Sequence, residues 1–103
     1  MAQVGEGSGA GGRESCLQEA QRICDGARGS DYGHPFEDWT RTAALWSPIL
    51  GIKVTPLQAL LCMNQVKVSR LCKTPDHHDS IVDIAGYAYC YERVVARREG
   101  AGP

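Results

Sequence analysis

The chain has 103 residues, 43% of them apolar, and sets 11 Lys and Arg against 12 Asp and Glu. That describes one domain with a small core, and a formal charge of −1 excludes a general nucleic-acid binder held by bulk electrostatics. No run approaches the ~18 apolar residues of a membrane span, and no apolar segment of signal-peptide type follows Met1, so the sequence reads as neither membrane-embedded nor secreted and a cytoplasmic location is expected.

Residues 1–12 (MAQVGEGSGAGG) and 99–103 (EGAGP) carry too little apolar surface to offset the entropy of ordering. They read as disordered tails around a single helical domain over residues 13–98. Five cysteines, odd in number and without a CxxC pair, fall mostly inside helical patterns, which predicts reduced thiols. Apolar spacing between the tails is helical throughout, and no alternating run is long enough for a sheet, so an all-α domain of four helices is expected.

The first helix is predicted to start near Ser15, where Ser-Cys-Leu-Gln fits a capping box, to bury Leu17, Ala20, Cys24 and Ala27, and to stop near Gly29. A face of small residues lets its neighbour approach closely. The turn Ser30-Asp31-Tyr32-Gly33-His34 then leads into Pro35, which suits the first position of a second helix running to about Leu50. That helix should bury Phe36, Trp39, Ala43, Trp46 and Leu50, expose Glu37 and Arg41 as an i,i+4 pair, and bend or end near Pro48. Thr55-Pro56-Leu57-Gln58 is a second capping box, opening a third helix to about Lys73. Thr74-Pro75 breaks it, Asp76 is the expected cap of a fourth helix to about Arg98, and the basic end Arg93, Arg97 and Arg98 suits the helix dipole.

Polar residues within apolar stripes mark the candidate site. On the third helix Leu57, Leu60, Leu61, Val68 and Leu71 form the stripe and Asn64 falls inside it, with Lys67 on its shoulder and Arg70 further round; Gln58, Gln65, Ser69 and Lys73 take the solvent side. On the fourth helix Ile81, Ile84, Ala88, Tyr91 and Val95 define one apolar face. Asp79 and Asp83 instead align with Gly86, Cys90 and Val94, which places these carboxylates inward or in a cleft. A short connection makes the last two helices an antiparallel hairpin, bringing Arg70 near Asp79 and Lys67 near Asp83. Two readings stand side by side. One is an inward salt-bridge network that fixes helix register. The other is a pocket for an anionic small molecule, with Lys67 and Arg70 on phosphate, Asp79 and Asp83 on sugar hydroxyls or a divalent metal such as Mg2+ or Mn2+, and Tyr32, His34, Asn64 and Tyr87 completing the lining. His77 and His78 point about 100° apart on a helix and make no zinc site together. No phosphate loop, GxSxG elbow or HExxH motif is present.

The order Asp31-Tyr32-Gly33-His34-Pro35, Ala44-Leu45-Trp46-Ser47, Lys67-x-x-Arg70-Leu71 and Asp76-His77-x-Asp79-Ser80-x-x-Asp83-Ile84-Ala85-Gly86-Tyr87 resembles a family of small helical proteins of tailed phages and prophages to which no reaction is assigned. More distantly, the Tyr-Gly turn and the Asp-x-x-x-Asp-x-x-Gly-Tyr helix look like the nucleotide-modification-associated domain of phages, and the layout is similar to the MazG-like all-α nucleoside triphosphate pyrophosphohydrolases. The resemblance implies a phage accessory protein in the host cytoplasm that binds or hydrolyses a nucleotide or related phosphorylated metabolite. It also departs from MazG-like enzymes. Their third helix carries an E-E-x-x-E set for magnesium, whereas this one offers Asn64, Lys67 and Arg70. A non-catalytic nucleotide binder and a helical module aimed at a host protein are the alternatives. A homo-oligomer is expected because the enzymes it resembles are oligomeric and one small chain does not cover such wide apolar faces.

Overall fold

Capping chemistry sets where the helices begin. The computed structural model describes residues 13–26 and 31–100: α1 spans Cys16–Asp25, α2 Pro35–Leu50, α3 Pro56–Lys73 and α4 His78–Arg98, with no strand among the described residues. Ser15 Oγ accepts from the Gln18 N–H at 3.1 Å while Gln18 Oε1 accepts from the Ser15 N–H at 2.9 Å, and Thr55 and Gln58 repeat the exchange at 3.2 and 2.9 Å. Each box satisfies two amides that the first helical turn leaves without partners.

Elsewhere the termini differ from expectation. The cap of α4 is His77 rather than Asp76: its Nδ1 accepts from the Ser80 N–H at 3.3 Å and lies 2.7 Å from the buried Ser80 hydroxyl. Asp76 stays in the connecting turn. α1 ends at Asp25, where the Gly26 N–H closes on the Arg22 carbonyl at 2.9 Å; the stop expected at Gly29 and the packing expected of Ala27 lie outside the described residues, as do the two tails up to Gly12 and from Ala101. α2 keeps its expected bounds. His34 Nδ1 caps it by accepting from the Phe36 N–H at 3.0 Å, and Gly33, with φ of 80°, makes the turn before it. The helix runs through Pro48, which removes one ladder bond near its end, and closes at Gly51 with φ of 74°.

α4 packs against all three other helices, whereas α1 packs on α4 alone. The core gathers Trp39, Ala43, Val54, Ala59, Leu60 and Val94, with Tyr87 edge-on to Trp39 at 6.0 Å between ring centroids. α1 meets α4 through small residues, as its sequence face implies. Ala20 and Cys24 are buried there, and a Cβ placed on Gly86 would lie 3.5 Å from Cys24 Sγ. Polar clamps hold both ends of α1: His78 Nε2 lies 2.8 Å from Glu19 Oε1, and the Tyr89 hydroxyl donates to Asp25 Oδ1 at 2.8 Å, with Arg93 5.4 Å over the Tyr89 ring. The bond to the Asp25 carboxylate holds the Tyr89 pKa above its ordinary 10.0. All five cysteines are free thiols.

The inner faces of the long helices are rotated from the expected ones. α4 buries Val82, Gly86, Cys90 and Val94, not Ile81, Ile84, Ala88, Tyr91 and Val95. On α3, Leu61 and Val68 are exposed while Ala59 and Leu60 are buried. α4 has two apolar faces, and the chain supplies helices to cover only the small-residue one. Leu17 and Leu50 are likewise exposed, and Arg41 pairs with Asp38 at 3.1 Å while Glu37 reaches Arg97 at 3.9 Å, replacing the expected Glu37–Arg41 pair. Among the described residues no helix is long and apolar enough to cross a membrane.

Candidate functional site

Antiparallel packing of α3 on α4 builds the site as a ladder. Leu60, Asn64, Tyr87 and Tyr91 share one cavity of about 300 Å3 along the hairpin, and one turn nearer the connection Lys67 Nζ meets Asp83 Oδ2 at 3.0 Å. The Lys67 side chain is 15% exposed and that of Asp83 36%, so the pair is half desolvated and pins the register of the two helices. Asn64 Oδ1 is buried and has no hydrogen-bond partner. Such an acceptor costs about 1–3 kcal/mol if nothing reaches it.

The next expected rung does not form. Arg70 and Asp79 are both exposed and make no ion pair with each other. At about 100° per residue Arg70 sits roughly 60° round the helix from Lys67, which turns it from the hairpin seam to the outer side of α3. There it lines an open groove of about 810 Å3 with Gln65, Ser69, Lys73, Thr74 and His77. No carboxylate lines this groove, and neither Arg70 nor Lys73 has an acidic partner among the described residues. The groove therefore presents two unneutralised cations beside hydroxyl, amide and imidazole groups. Such a lining suits the acceptor oxygens of a phosphate.

The structure thus brings Asn64, Lys67, Asp83 and Tyr87 to the hairpin seam and sends Arg70 outward. His34 serves as the cap of α2, and Tyr32 is half exposed before it. Ser69, Lys73, Thr74 and His77 complete the groove around Arg70. Their signal in the sequence was the spacing Ser69-Arg70-x-x-Lys73-Thr74 on the polar side of a helix, which reads equally as a solvated face. Asp79 and Asp83 do not by themselves fit a resident divalent cation. Asp83 is held by the Lys67 ammonium, and no group of three His, Cys, Asp or Glu side chains among the described residues gathers about one point.

The chain is similar to proteins of two mycobacteriophages. It is 41% identical over 81 residues to the Gene 55 protein of Mycobacterium phage D29, covering 79% of this chain and 54% of that protein. To the Gene 55 protein of Mycobacterium phage L5 it is 37% identical over 81 residues, covering 78% and 52%. It spans about half the length of these curated relatives. No solved structure matches it. The model of the family described as Domain of unknown function (DUF6378) matches residues 15–95, all four helices but for the last residues of α4, and the chain belongs to that family.

Proposed function

We propose that the chain binds a nucleotide or related phosphorylated small molecule in the groove on the outer side of α3, with Arg70 and Lys73 on the phosphate oxygens. The observation that carries this reading is the pairing state of the cations: Lys67 is neutralised by Asp83, while Arg70 and Lys73 stand in a groove of about 810 Å3 with no acidic partner among the described residues. Its size lies within the range of small-ligand sites, roughly 300–1,000 Å3. Ser69, Thr74 and His77 add donors for the remaining phosphate oxygens, and Gln65 offers an amide of both polarities to a base edge. Val66 and Cys62 supply an apolar wall.

Within this reading, binding without hydrolysis is favoured over a MazG-like reaction, because no carboxylate lines the groove to hold a metal ion or to activate water. Mg2+ or Mn2+ would enter already bound to the phosphates of the ligand. A phage accessory role in the host cytoplasm fits relatives from mycobacteriophages. Calorimetric titration with nucleoside mono-, di- and triphosphates, with and without Mg2+, tests the proposal. An Arg70→Gln, Lys73→Gln variant should lose at least tenfold in affinity at unchanged melting temperature. Equal affinity in wild type and variant would place the ligand elsewhere, and product formation would overturn the non-hydrolytic reading.

A further inference from the structure

The α3–α4 flank, on a different side of α3 from the groove, carries the apolar faces that the fold leaves without a partner. Leu61 is 53% exposed, Val68 37% and Ile81 37%, and Ile84 and Tyr91 lie between them, so two antiparallel helices present one continuous apolar surface. The residues lining its central depression carry no charge. Asn64 is the polar residue set into that depression, and its buried Oδ1 has no hydrogen-bond partner.

We infer that this flank is the interface between two copies of the chain, packed as a four-helix bundle in which Asn64 of each copy bonds to Asn64 of the other across a two-fold axis. Three features select a second copy as the occupant. An amide side chain carries both a donor and an acceptor, so an identical amide across the axis satisfies it, and a small rotation about χ2 brings the buried oxygen into reach. A two-helix face is self-complementary, since ridges of one pair fill the grooves of the same pair turned over. The area is also sufficient. From Ile81 to Val95 α4 advances roughly 21 Å, and two helices side by side are about 20 Å wide, so each copy covers roughly 400 Å2 in projection and more once side-chain relief is counted, which reaches the class of stable interfaces. A lone polar residue in an otherwise apolar helical seam fixes register and copy number.

Light scattering and sedimentation equilibrium on the full chain at about 100 µM test the inference. The expected mass is twice the 11.2 kDa of one chain. Leu61→Glu should give a monomer with unchanged helical circular dichroism, because Leu61 is exposed in the single copy and a carboxylate there faces water. Asn64→Leu should keep the association but admit species larger than the dimer. A monomeric wild type overturns the inference. So does a dimer that survives Leu61→Glu but dissolves on Ile49→Glu, since Ile49 lies on the separate exposed apolar end of α2. Nucleotide affinity of the Leu61→Glu variant is a separate readout, so failure of this interface and failure of the groove are told apart.

Discussion

Cutting the Lys67–Asp83 pair separates a register pin from a ligand site. At 3.0 Å, with side chains 15% and 36% exposed, the pair lies between surface pairs and buried ones. Surface pairs contribute about 0–1 kcal/mol, and breaking a buried pair costs about 3–5. The two single substitutions should differ. Asp83→Asn leaves a mostly buried ammonium without its countercharge and should cost about 2 kcal/mol. Lys67→Met keeps the aliphatic stem packed and leaves a carboxylate that water still reaches, so about 1 kcal/mol is expected. The double variant removes both charges and should be less destabilised than the singles summed, with a coupling of about 1 kcal/mol. Urea unfolding followed by circular dichroism gives all four corners of the cycle, and each kcal/mol corresponds to about 4–8 °C in the melting temperature of a domain this small. Strict additivity, with coupling below about 0.3 kcal/mol, would refute the pair as a register pin. Nucleotide affinity of Lys67→Met should change less than threefold, because Lys67 does not line the groove.

Further outcomes follow from other parts of the fold. Gly86→Ala should stabilise by about 0.5–1 kcal/mol, since the added Cβ meets Cys24 Sγ at an ordinary 3.5 Å and helix propensity gains; a fall in melting temperature would show that α1 sits closer to α4 than this geometry allows. Ser15→Ala and Thr55→Ala should each cost about 1 kcal/mol in thermal unfolding through loss of a capping box, and a neutral result at either would remove that cap from the account. Tyr89 has its pKa raised in the folded chain, so its bond to Asp25 contributes stability that is fully present below pH 10.0 and is lost as pH rises through the higher folded value. Melting temperatures of wild type and Tyr89→Phe should therefore differ by a constant amount below about pH 9 and converge in more alkaline solution. A difference independent of pH up to 11 would contradict the clamp.

Local signals carried the helix map. Two capping boxes, Pro35, Pro56 and the Thr74-Pro75 break placed α2 and α3 at their observed bounds, because such signals act within a turn of the residues that bear them. His77 displaced Asp76 as the cap of α4 since Ser80, buried beneath it, bonds the imidazole, and that contact depends on the tertiary packing of Ser80. Rotation of α3 and α4 was not legible for a similar reason. Both helices have two apolar stripes, and nothing local says that α1 takes the one built on Gly86 and Cys90 while Leu61 and Ile81 stay outside. Of the two charge pairs expected across the hairpin, Lys67–Asp83 forms and Arg70–Asp79 does not. Spacing alone leaves open whether a residue 60° off the seam turns inward or outward.

The most direct test of the account is a titration of the wild-type chain and of the Arg70→Gln, Lys73→Gln variant with a nucleoside triphosphate and with inorganic triphosphate. The groove predicts saturable binding to wild type, weakened at least tenfold in a variant that melts at the same temperature. No binding of either ligand to the wild-type chain, or binding that ignores the loss of both cations, would contradict it.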